Sequence, residues 1–64
     1  MNREERVAEY FAALCRTPYL AGILYLARHI ESDGIISDYD RSCLLRHAAT
    51  TYRKVCGRDL WQDM

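Results

Sequence analysis

The sequence contains few residues that interrupt a helix and no surplus of either charge. One proline and three glycines occur among 64 residues, so we expect few breaks in secondary structure. Nine basic residues balance nine acidic ones, so the molecule lacks the overall positive field that gives nonspecific affinity for nucleic acids. The longest run without a charged residue is 17–27, which is shorter than the roughly 20 apolar residues that cross a membrane. We therefore predict a protein without a membrane partner.

The three cysteines, Cys15, Cys43 and Cys56, include no CxxC pair. Structural zinc sites draw ligands in close pairs, and secreted disulfide frameworks use even numbers of cysteine. The charged N-terminus has no apolar segment of signal-peptide type. These features predict a cytoplasmic protein with free thiols, each a small buried hydrophobe.

Motifs for catalysis or for cofactor binding are also missing. No glycine-rich phosphate loop or nucleotide fingerprint occurs. Cys43 and His47, four residues apart, share one helix face and are the only pair with metal-like or nucleophile-like spacing. A nucleophile also needs an orienting group and a pocket. We predict no enzyme activity, no metal site and no cofactor.

Half of the residues are hydrophobic, and they recur at helical spacing in three segments. The first helix is predicted at 3–16, with Asn2 as its N-cap. Thr17 is predicted to cap the second helix, 18–32, because proline at position 18 favours the first turn of a helix.

The third helix is predicted at 38–56. Ser37 and Asp40 resemble a capping box at its start, and Gly57 provides a stop. Leu60 and Trp61 follow this stop and are too apolar for a free tail. Residues 1–64 are therefore predicted to form one all-α domain, a small three-helix bundle with a short C-terminal segment that packs back on it.

The second helix is apolar on almost all faces in its first ten residues. Two neighbouring helices would not cover all of this surface, so we expect a second copy or another protein to contact it. Gly22 costs helix stability, and a close helix approach would explain it. The predicted homodimer contacts are Tyr19, Gly22, Ile23 and Leu26.

The segment HIESDGIISDYD, residues 29–40, concentrates four acidic residues between the second and third helices. With Gly34 at the sharp turn it resembles an EF-hand loop, but His29 stands where the first oxygen ligand is needed and Asp40 replaces the final glutamate. Helix caps at Gly34 and Ser37 are the favoured interpretation. Glu31 and Asp33 then lie at the end of a helix, where negative charge is unfavourable, so an arginine of this chain or of a partner is expected nearby.

Basic residues follow this acidic segment, and the third helix presents Arg46, Thr50 and Arg53 on one face. Arginine pairs with carboxylates in a bidentate geometry at least as well as with phosphate. The predicted partner-binding residues are Glu31, Asp33, Arg46, Arg53, Leu60 and Trp61.

Four short features lie along the chain: the triplet 15–17 (CRT), the triplet 36–38 (ISD), the alanine pair 48–49 and Trp61. Together they resemble the Hha/YmoA family of small helical bacterial modulators of nucleoid-associated proteins. The sequence departs from the family in a longer second helix and loop, and in threonines at 50–51 where the family has charged residues. The resemblance implies a protein that binds a regulator rather than DNA alone, and it implies no individual site residue.

The sequence thus predicts a small non-enzymatic protein-binding module, a regulatory modulator or inhibitor of the kind encoded by bacteria, phages or plasmids. The alternative is an accessory protein that binds nucleic acid through the basic face of the third helix, with Arg46, Arg53, Lys54 and Arg58.

Overall fold

The computed structural model describes residues 3–17 and 19–64. It contains the helices α1 (Arg3–Arg16), α2 (Leu20–Ser32), α3 (Asp38–Cys56) and α4 (Leu60–Asp63). The described residues contain no strand. The predicted three-helix bundle with a C-terminal segment that packs back is therefore confirmed. The N-cap predicted at Asn2 lies outside the described residues.

The start of α2 differs from the prediction. Thr17 does not cap this helix; its hydroxyl donates a hydrogen bond to the carbonyl of Ala13 at 2.7 Å, back toward α1. Tyr19 is the N-cap of α2, with extended backbone and no side-chain cap. A β-hydroxyl can bond the carbonyl four residues earlier as readily as it caps the next helix, and here it makes the first of these two bonds.

The connection between α2 and α3 is held by caps at both ends. Ser37 is the N-cap of α3, and its hydroxyl accepts from the amide of Asp40 at 3.1 Å, as predicted. Gly34 is not the cap of α2; Asp33 occupies that position in an extended conformation. The guanidinium of Arg41 donates to the carbonyls of Asp33 at 2.5 Å and Ile30 at 3.3 Å. This cation satisfies carbonyls at the C-terminus of α2, where the helix dipole favours positive charge.

The core lies between the three long helices, and α3 contacts each of the other helices. Its buried hydrophobic residues are Leu14, Ile23, Ala27, Ile30, Ile36, Leu44, Leu45, Ala48, Tyr52 and Leu60. These residues come from all four helices and from the α2–α3 connection, so the short α4 is part of the core. None of the helices in the described ranges is long and apolar enough to span a membrane.

The chain reverses after α3 at Gly57, which has a φ of 73°. This left-handed conformation is costly for a residue with a Cβ atom, so glycine suits the position. Asp59 then caps α4 by accepting from the amide of Trp61 at 3.0 Å. The hydroxyl of Tyr52 donates to the carboxylate of Asp63. Together these contacts hold α4 against α3.

Candidate functional site

The predicted partner-binding residues fall into two groups. Glu31, Arg46, Arg53 and Trp61 are exposed, whereas Asp33 and Leu60 are buried. Leu60 has no exposed surface and is a core residue, so its predicted role as a partner contact is wrong for this fold. Trp61, the next residue along the chain, keeps 54% of its surface exposed.

The three exposed residues Arg46, Arg53 and Trp61 line one groove of about 560 Å³ between α3 and α4. The complete lining is Ser42, Leu45, Arg46, Ala49, Thr50, Arg53, Arg58, Asp59 and Trp61. On α3 these positions recur every three or four residues, so they form one continuous helix face. We call this the α3–α4 groove. It combines apolar surface with cationic and hydroxyl groups.

The cations in the α3–α4 groove are not equivalent. Arg58 donates to the carboxylate of Asp63 at 2.9 Å, which anchors its guanidinium to α4. Within residues 3–17 and 19–64, neither Arg46 nor Arg53 forms a salt bridge. Two guanidinium groups of the groove are therefore available to an anionic group of a ligand.

Trp61 also lines a second groove, of about 610 Å³, together with Arg28, Glu31, Ser32 and Met64. Glu31, the fourth exposed candidate, lines this second groove, and Trp61 lines both grooves. The residue types alone identified these residues as candidates. The sequence could not show that the indole of Trp61 lines the grooves of all four. Both grooves carry both signs of charge: Arg46, Arg53, Arg58 and Asp59 line one, and Arg28 and Glu31 line the other.

The hydrogen bonds that fix α4 also affect ionisation. The hydrogen bond from the hydroxyl of Tyr52 to Asp63, together with burial, raises the pKa of Tyr52 to about 12. The proton of Tyr52 is therefore retained over the whole physiological range. The wall of the groove that carries Trp61 is held by this bond and by the buried Leu60.

Asp33 lines neither groove and is satisfied inside the chain. Its carboxylate accepts from the hydroxyl of Tyr10 at 2.7 Å, from Nε of Arg6 at 2.8 Å and from the amide of Ile35 at 2.8 Å. The hydroxyl of Tyr10, the amide of Ile35 and the charge of Arg6 hold the pKa of Asp33 well below its usual value. The arginine expected near this carboxylate is thus Arg6 of the same chain, and Asp33 is no partner contact.

The predicted dimer contacts differ in burial. Ile23 has no exposed surface and belongs to the core, so that part of the prediction is wrong. Gly22 packs against the side chain of Thr17, where a Cβ atom would clash with the threonine methyl group. Leu26 packs partly against the core, whereas Tyr19 is 74% exposed. Self-association stays a prediction, which sedimentation measurements over a range of concentrations would test.

The three cysteines are free thiols, as predicted. None of the three is fully buried, so the prediction that each cysteine is buried is wrong: Cys43 and Cys56 are half-buried and Cys15 is exposed. Its Sγ lies 3.9 Å from Nε2 of His47, and the His47 ring contacts the ring of Phe11 with centroids 5.3 Å apart. His47 therefore packs against α1. The described part of the chain contains no group of three or more His, Cys, Asp or Glu side chains placed to hold a metal.

No protein-family model matches this chain, and none of the characterised proteins or solved structures compared with it matches either. The Hha/YmoA resemblance therefore stays a prediction from the sequence.

Proposed function

We propose that the chain is a small cytoplasmic protein-binding module, of the regulatory modulator or inhibitor type, that uses the surface around Trp61. The observation that carries the proposal is that an exposed indole and the two guanidinium groups of Arg46 and Arg53 line one groove. Tryptophan and arginine are the residue types most enriched among side chains that dominate binding energy in protein interfaces.

The support behind Trp61 favours this role. Leu60 is fully buried and Asp59 caps the first turn of α4, so the backbone that carries the indole is fixed before a partner arrives. Less conformational entropy is then lost on binding than for an indole on a loose tail. An exposed tryptophan on a free tail would lack this advantage.

Affinity capture from an extract of the host, with three forms of the protein as bait, tests the proposal. The forms are the unchanged chain, Trp61→Ala, and a control in which Arg3 and Arg16, exposed on α1, are both changed to glutamate. We expect one or more proteins to be retained by the unchanged chain and the control but lost with Trp61→Ala. Equal recovery by all three would refute a role for this surface.

A second candidate is nucleic-acid binding by Arg46, Arg53, Lys54 and Arg58, which are all exposed. The observation in its favour is that the three arginines of this set line one groove. Phosphate contacts make affinity fall steeply with salt. Titration with duplex DNA at low and moderate salt tests this function: steeply salt-dependent binding supports it, and the absence of binding at low salt refutes it.

A further inference from the structure

We infer that the α3–α4 groove binds an amphipathic helix of a partner protein that carries carboxylates at positions i and i+7. This inference rests on the proposed function and specifies the chemistry of the partner. It is based on three features of the groove: the spacing of its two unpaired arginines, its apolar surface and the distribution of negative charge around it.

The first feature is the spacing of the two unpaired arginines. Arg46 and Arg53 are seven residues apart on α3, and both line the groove without a salt bridge to another described residue. Seven residues of α-helix rise by about 10.5 Å. A helix that lies along α3 would present carboxylates at i and i+7 with the same separation, so that one side chain faces each guanidinium. Carboxylate and guanidinium pair with two parallel hydrogen bonds.

The surface between the two arginines suits the apolar side of such a helix. Ala49 lies midway between them and is partly buried. A small residue at the centre of a helix face lets a second helix approach closely, at the 8–10 Å axial distance typical of packed helices. Trp61 stands on the opposite wall and would cover apolar residues at i+3 and i+4 of the partner.

The negative charges nearby favour a helix over a nucleic acid. Asp59 lines the same groove, and Glu31 lines the groove on the other side of Trp61. A nucleic-acid strand carries a charge at every phosphate and would meet these carboxylates when it extended beyond the arginines. A helix with two carboxylates in register with Arg46 and Arg53 would present no charge to them.

The test is a titration of the full chain with synthetic helical peptides of about 20 residues. The fluorescence of Trp61, the only tryptophan in the sequence, monitors binding. The patterned peptide has glutamates at i and i+7 and leucine or alanine at i+3 and i+4. A second peptide has the same composition with glutamates at i and i+5, on different helix faces. A third has lysines in place of the two glutamates.

The patterned peptide should shift the emission of Trp61 and bind at least about tenfold more tightly than the i, i+5 peptide. The double variant Arg46→Glu/Arg53→Glu should lose this binding and should instead bind the lysine peptide. The Arg3→Glu/Arg16→Glu control carries the same change of net charge and should bind as the unchanged chain does. Rescue by charge exchange separates a direct contact from a loss of folding.

Equal affinity for the two glutamate peptides, or equal losses in the groove variant and the control, would overturn the inference. Binding of duplex DNA at low salt without binding of any glutamate peptide would also overturn it, in favour of the nucleic-acid alternative. If captured proteins depend on Trp61 while the patterned peptide fails, the inference is wrong and the proposed function stands. If neither the capture of proteins nor the binding of the patterned peptide depends on Trp61, both the inference and the proposed function are wrong.

Discussion

Leu60 and Trp61 are adjacent apolar residues for which the structure predicts losses of stability of different size on substitution. Leu60 is completely buried, whereas Trp61 is 54% exposed. Leu60→Ala removes three carbon atoms from the core, which costs about 2.4 kcal/mol in transfer free energy at roughly 0.8 kcal/mol per methylene. Because α4 is a short terminal helix that can settle into the space, we expect a total near 3 kcal/mol, in the lower half of the range for such substitutions.

A loss of this size is large for a chain of 64 residues. Typical stabilities of about 0.05–0.15 kcal/mol per residue give roughly 3–10 kcal/mol for such a chain. A loss of 3 kcal/mol would lower the Tm by roughly 12–24 °C. Trp61→Ala should cost only about 1 kcal/mol, because much of the indole already contacts water.

Denaturant unfolding followed by far-ultraviolet circular dichroism measures both variants, since this signal does not depend on tryptophan. Trp61→Phe provides a control that keeps an aromatic ring in place. The reasoning would be refuted if Trp61→Ala were as destabilising as Leu60→Ala, or if Leu60→Ala changed the free energy of unfolding by less than about 0.5 kcal/mol.

Three further predictions test other contacts. Because the pKa of Asp33 is lowered in the folded state, this carboxylate contributes its full stabilisation of the fold above the unfolded-state pKa of about 4, and the stabilisation is lost as the pH falls below that value. Asp33→Asn should therefore flatten the acid side of a plot of unfolding midpoint against pH. Because the pKa of Tyr52 is raised to about 12, its hydroxyl stabilises the fold below the unfolded-state pKa of about 10, and this stabilisation is lost as the pH rises to about 12. Tyr52→Phe should therefore flatten the alkaline side of the same plot. Gly22→Ala should destabilise by about 1–3 kcal/mol because its methyl group meets Thr17, and Thr17→Ser should recover most of this loss.

Each of these expectations has a result that contradicts it. An unchanged acid side in Asp33→Asn would show that this carboxylate does not govern stability at low pH. An alkaline side that stays equally steep in Tyr52→Phe would remove the role assigned to its hydroxyl. Thr17→Ser keeps the hydroxyl that donates to Ala13, so a double variant no more stable than Gly22→Ala alone would locate the clash elsewhere.

The local parts of this fold were predictable from the sequence. The range of α1 follows from the apolar period, and the ends of α3 follow from this period together with the capping residues Ser37 and Gly57. The start of α2 was misplaced because Thr17 has two local hydrogen-bonding options of similar quality. Four residues are too few to show a helical period, so α4 was predicted only as a segment that packs back.

The long-range parts were not predictable in the same way. Arg6 and Asp33 are 27 residues apart, and the sequence indicated only that the carboxylate needed a cation. The sequence likewise gave Leu60 and Trp61 the same role, because consecutive helical positions differ by about 100° and the side that faces the core depends on the packing of α4. The grouping of Arg46, Arg53 and Trp61 required the path of the chain after Gly57.

The carboxylate of Asp33 has a consequence for how the molecule opens. Two donors on α1, Arg6 and Tyr10, and one amide beyond α2, that of Ile35, meet on this single group. Detachment of α1 would remove two of the three bonds that hold the carboxylate and leave only the local bond from the amide of Ile35. We therefore expect the segment after α2 to loosen when α1 detaches, as one cooperative unit of the kind that native-state hydrogen exchange detects. The exchange rate of the Ile35 amide, far from α1 in the sequence, should report how often the first helix leaves the bundle.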